Sequence, residues 1–144
     1  MTHINIVSAF QAIERHPGYD KVDNPQRFSV LDLTPVGITW QSGGATETVR
    51  SSSGIKGLCL SDLSGVAVVE APYESAINRA YIVNADGSRR ATISPQTAFG
   101  RVVFYDVLYL DNGALAFLAA APSRDARIEV NETDGSVIHI TESR

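Results

Sequence analysis

Asp86-Gly87-Ser88 and Asp134-Gly135-Ser136 are one tripeptide written twice, 48 residues apart. Each copy lies between two short apolar runs. The same 48-residue step separates Gly65-Val66-Ala67-Val68-Val69 from Gly113-Ala114-Leu115-Ala116-Phe117. Asp-Gly between alternating segments predicts a type I′ hairpin, because both central positions then need positive φ and tolerate it at low cost. Two hairpins per period make each unit a four-stranded antiparallel meander, arranged as a propeller blade or as part of a sandwich or barrel. The length equals three periods, but residues 1–48 contain no Asp-Gly-Ser, and only two copies are counted.

Outward from these turns the pattern predicts a single, mainly β domain over 1–144. Strands are expected at 55–60, 66–70, 79–84, 90–93, 101–110, 114–121, 127–131 and 136–141, a continuous meander over 55–141. Residues 101–110 are apolar on both faces apart from Asp106, which predicts a central strand covered on both sides. Before the meander, 28–54 reads as a hairpin region: a strand at 28–33, a turn at Pro35 and Gly37, then 38–40 and 45–50 around Gly43-Gly44. Ser51-Ser52-Ser53-Gly54 follows as a flexible turn. Residues 1–27 read as helix plus connection. Ile6, Phe10 and Ile13 fall at i, i+4, i+7, Asn5 could cap, and His16-Pro17-Gly18 would stop one short helix.

Composition narrows the function classes. With 144 residues, 44% of them hydrophobic, the chain can bury a core without staples. The net charge of −4 argues against direct nucleic-acid binding. The charge is uneven: residues 1–60 carry five acids and five bases, residues 61–144 eleven acids and seven bases. Cys59 is the only cysteine, so no intrachain disulfide forms, and its setting between Leu58 and Leu60 predicts a buried thiol. The N-terminus has no signal-peptide pattern and no apolar run is long enough for a membrane helix, so a cytoplasmic protein is expected.

Catalytic patterns are sparse. His3, His16 and His139 have no metal-ligand spacing, no nucleophile elbow occurs, and Ser53-Gly54-Ile55-Lys56-Gly57 lacks the spacing of a phosphate loop. No cofactor or metal is expected. Asp106, interrupting an apolar face, is the candidate buried acid, with Arg79 or Arg101 to pair with it. Asp86 and Asp134 are turn formers that bond local amides. Tyr73, beside Pro72, is the candidate exposed aromatic, and Arg89-Arg90 a small basic spot.

A small acidic β protein of this kind has the general profile of bacterial toxin-neutralising immunity proteins. The expectation is therefore a non-enzymatic protein-binding domain of the immunity or antitoxin type. It would occlude the active site of a basic toxin, such as a nuclease, with Asp106, Asp111, Asp125, Glu129, Glu132 and Asp134, and with Tyr73 as an aromatic contact. Two alternatives stay open: a β-scaffold hydrolase using Asp106, and a partial propeller that completes itself by oligomerising.

Overall fold

The computed structural model describes residues 5–143. It is built from three antiparallel sheets stacked face to face. The first holds β1 (Ser8–Ile13), β2 (Gly37–Ser42) and β3 (Ala45–Arg50), in that order. The middle sheet runs β4 (Ile55–Cys59), β5 (Gly65–Glu70), β6 (Arg79–Asn84) and β7 (Arg89–Ile93). A two-residue ladder, β8 (Gln96–Thr97) with β9 (Gly100–Arg101), leads to the last sheet: β10 (Val103–Tyr109), β11 (Leu115–Ala120), β12 (Asp125–Val130) and β13 (Val137–Ser143). The two predicted four-stranded meanders are thus the middle and last sheets, and the class is mainly β and antiparallel with one short helix.

The period-2 alternation of β5 explains the stacking. Ala67 and Val69 pack with Ile82, Phe104, Phe117 and Ile128 in the core between the middle and last sheets. Val66 and Val68 point the other way, to Ile38, Trp40 and Tyr81 in the core against the first sheet. A strand buried on both faces reads as a continuous apolar run, which is what Val66–Val69 is. The first sheet therefore supplies the third layer that the missing tripeptide concealed. Its hairpin turns on Gly43 and Gly44, at φ +57° and +85°, and Trp40 Nε1 donates to the Ala85 carbonyl at 2.7 Å in the turn of the next sheet.

Four local expectations are corrected. Residues 8–13 form a strand, not a helix; Ile4 and His3 lie outside the described residues. Ala9 has φ +52° and the pairing of β1 with β2 slips between Ser8 and Gln11. That bulge gives a strand the i, i+3 spacing of a helix face, while Val7, off the supposed helical stripe, is the residue that is buried. The helix lies instead at α1 (Val30–Leu33), where a strand was expected. Ser29 caps it by accepting from the Asp32 amide at 3.2 Å, and Thr34 adopts extended geometry before Pro35.

The strand covered on both faces is β5, and β10 is an edge of the last sheet. One face of β10 packs against the middle sheet through Phe104 and Val107, while the other belongs to the outside of the stack. The Asp-Gly-Ser turns are not type I′ either. Ala85 and Asp86 keep negative φ and only Gly87 is positive, at +88°, with its amide bonded to the Asn84 carbonyl. This is a three-residue loop with a glycine bulge. The second turn is one residue longer, closed by the Gly135 amide on the Asn131 carbonyl.

The layers are bolted together by polar side chains. Arg90 donates from Nε to Asn84 Oδ1 at 2.7 Å, and from its terminal nitrogens to the Glu132 carbonyl at 2.8 Å and to both oxygens of Ser64 at 3.0 Å. It joins two turns of the middle sheet to one of the last. Asn78 exchanges two hydrogen bonds with the Phe104 backbone, 2.7 and 2.8 Å, as a strand neighbour would. Arg89 is different: its guanidinium lies 3.8 Å from the Tyr81 ring centroid. The expected basic spot is therefore two arginines with separate tasks.

Candidate protein-interaction face

The buried acid is Glu70, 8% exposed, not Asp106. Glu70 sits opposite Arg79 in the β5–β6 register and is held by the Arg79 guanidinium at 3.1 Å and by a short hydrogen bond from the Tyr81 hydroxyl. Burial, and then the Glu70 carboxylate, push the Tyr81 phenol well above its usual range. Asp106 is half-buried at a bulge between Phe104 and Asp106, where its Oδ1 accepts from the Val107 amide at 2.8 Å. Arg79 is committed elsewhere, and Arg101 forms no ion pair with it among the described residues.

The outside of the last sheet is one of the two outer faces of the stack, without a neighbouring layer. Because Leu115, Phe117, Ile128 and Val130 point into the core, their alternates point out. Register then places Asp106, Leu118, Arg127 and Thr141 in one cross-strand row, and Leu108, Ala116, Glu129 and His139 in the next. Asp125 extends the face opposite Ala120. Tyr105, the bulged residue, lies near both Asp125 and Asp106: burial chiefly, then these carboxylates, raise its phenol pKa.

Size alternation across the strands shapes this face. The small Ala116 separates Leu108 from Glu129. Beside it is a groove of about 530 Å3 lined by Leu108, Leu110, Asp111, Asn112, Arg127 and Glu129. Asp106, Asp111, Asp125 and Glu129 thus share one open surface with Arg127.

The other expected contact residues fall elsewhere. Glu132 accepts from the Tyr109 hydroxyl at 3.1 Å, and its backbone carbonyl takes Arg90, so it is part of the joint between layers. Asp134 accepts from the Ser136 amide at 2.9 Å, and Asp86 from the Ser88 hydroxyl at 2.6 Å and amide at 2.9 Å, and these bonds lower both carboxyl pKa values. Tyr73, 47% exposed, sits in the β5–β6 connection of the middle sheet. Arg127 is not among the residues expected from the sequence. Its signal was an arginine alternating with Asp125 and Glu129 beside an alanine-rich strand.

Among the described residues no group of three His, Cys, Asp or Glu side chains is placed to hold a metal ion. Cys59 is half-buried, and burial raises its thiol pKa. Among the described residues no helix is long and apolar enough to cross a membrane.

The geometry defines a class: an open stack of antiparallel meanders whose last sheet presents an acidic face without a covering layer. No protein-family model matches the chain, and no curated protein matches it. Among solved structures, a chain in the structure of Tne2 in complex with Tni2 has this fold, with a TM-score of 0.75. The match covers 96% of this chain and 100% of that one at 13% sequence identity. The shared property is the fold, in a chain solved within a two-protein complex.

Proposed function

We propose that the protein is a non-enzymatic binding domain of the immunity type, which neutralises a basic toxin domain by covering its active site. The observation that carries this is the convergence of Asp106, Asp111, Asp125 and Glu129 on the uncovered outside of the last sheet. A second support is that the fold occurs in a chain solved in a complex of two proteins. Carboxylates with apolar Leu108 and Leu110 between them suit a cationic surface: charge speeds encounter, and the apolar strip holds the complex once water leaves.

The test is co-expression with any basic toxin domain that the neighbouring reading frame encodes. Growth restored by this chain, and lost when Asp106 and Glu129 are both changed to Lys, supports the proposal. Unaltered toxicity, or the absence of any basic partner there, ends it.

The free edge of β13, with Val137 50% and Ile138 66% exposed, favours a second reading, self-pairing into an oligomeric scaffold. Static light scattering separates the two, since a monomer at micromolar concentration retires the scaffold.

A further inference from the structure

We propose that Arg127 is the anchor of the acidic face, taking a carboxylate that the partner presents within a cluster of cationic groups. The inference rests on the reading that this face binds a protein. Arg127 lines the groove, yet among the described residues it donates no hydrogen bond to a side chain or carbonyl and forms no ion pair, although Asp125 and Glu129 flank it on the same face of β12. Its Nε is buried without a partner. So is Thr141 Oγ1, directly opposite it on β13. Four buried side-chain atoms of the described residues lack a partner, and two of them fall in this one cross-strand row, on a face no other layer covers. Native proteins rarely leave such groups unpaired.

The donor geometry selects the acceptor. A guanidinium offers parallel N–H groups in a planar fork, matched by the two oxygens of a carboxylate. The acids that share its surface select the setting. Asp106, Asp111, Asp125 and Glu129 repel a bare anion, so only a carboxylate that brings its own cations can approach. The groove of about 530 Å3 between Leu108 and Glu129 has room for one Asp or Glu side chain with flanking Lys or Arg on the rim. The partner surface is thus the charge inverse of this one: a central acid encircled by bases.

Two peptides test this on the intact protein at low salt by 15N NMR titration: acetyl-Lys-Asp-Lys-amide and acetyl-Lys-Asn-Lys-amide. Attraction to an acidic face alone favours the Asn peptide, which carries the larger positive charge. The anchor reverses that order. The Asp peptide should bind at least ~10-fold tighter, the fold-change of one charge-assisted hydrogen bond, and should move the Arg127 Nε–H signal. In Arg127→Gln the preference should vanish while the Asn peptide still binds; amide dispersion checks that the variant folds. Arg127→Lys, charged but without the fork, should fall between. Equal binding of the two peptides, a preference that survives Arg127→Gln, or no binding of the Asp peptide overturns the anchor. Toxin neutralisation alongside a failed peptide preference would remove the anchor only. A peptide preference without neutralisation would keep the anchor and remove the immunity role.

Discussion

Arg90→Ala is the sharpest test of how the layers are joined. The side chain makes four hydrogen bonds of 2.7–3.0 Å, to Asn84, the Glu132 carbonyl and both oxygens of Ser64. Charge-assisted bonds contribute about 1.5–3 kcal/mol each when independent. One guanidinium makes all four, and water can reach some acceptors once it is gone, so the whole is expected to be worth about 3 kcal/mol. An unfolding entropy of about 2.1 cal/mol/K per residue over this length converts that to a fall in Tm of about 10 °C. Arg89→Ala is the internal control. It removes an exposed cation–π contact worth about 0.5–1 kcal/mol, a shift of about 3 °C at most. Scanning calorimetry of both variants reads the difference. If Arg90→Ala melts within 3 °C of the parent, or Arg89→Ala is the worse of the two, the guanidinium is not the joint described here.

Other outcomes follow from the same geometry. Gly135→Ala would place a Cβ 2.3 Å from Ala91 Cβ at φ +75°, whereas Gly113→Ala, at φ +87°, meets nothing within 4 Å. Chemical denaturation should give about 3 kcal/mol of destabilisation for the first and about 1 kcal/mol for the second. Tyr81, buried and bonded to Glu70, has its pKa raised in the folded state. Its contribution is complete below the ordinary tyrosine value of about 10 and declines as pH rises beyond it. The stability gap between the parent and Tyr81→Phe should therefore be constant from pH 7 to 9 and narrow above pH 10. Asn78→Ala leaves the Phe104 amide unpaired and should cost about 2 kcal/mol, with faster hydrogen exchange at Phe104 as its local signature.

Where the chain was legible, a short-range rule decided the outcome. Glycine-bearing turns between alternating runs located the hairpins, whereas Val66–Val69, the run that is buried on both faces, was read only as a partner strand. Where it was not, two structures share one pattern. A bulged strand at Ala9 and a helix both put residues three apart on one face, here Val7 and Phe10. The apolar alternates Leu108, in β10, and Leu110, just past its end, resemble those of a covered strand but line the open groove. What was read as a second buried face is the apolar part of the candidate binding surface. Glu70 could not be singled out because its partner Tyr81 is set by the β5–β6 register, not by sequence proximity. The acids of the site were visible as residues, but only the sheet separates Asp106, Asp111, Asp125 and Glu129 from the turn and joint acids Asp134 and Glu132.

The central claim is that the outside of the last sheet is the working surface. The most direct measurement is the affinity for the proposed basic toxin partner, by calorimetry, of three proteins: the parent, Asp106→Lys with Glu129→Lys, and Glu74→Lys in the β5–β6 connection as a control of like charge change per site. The account predicts a loss of at least ~100-fold for the face variant, about 3 kcal/mol, and less than ~3-fold for the control, with the parent's affinity falling as salt is raised. An unchanged affinity in the face variant, or a greater loss in the control, would contradict it.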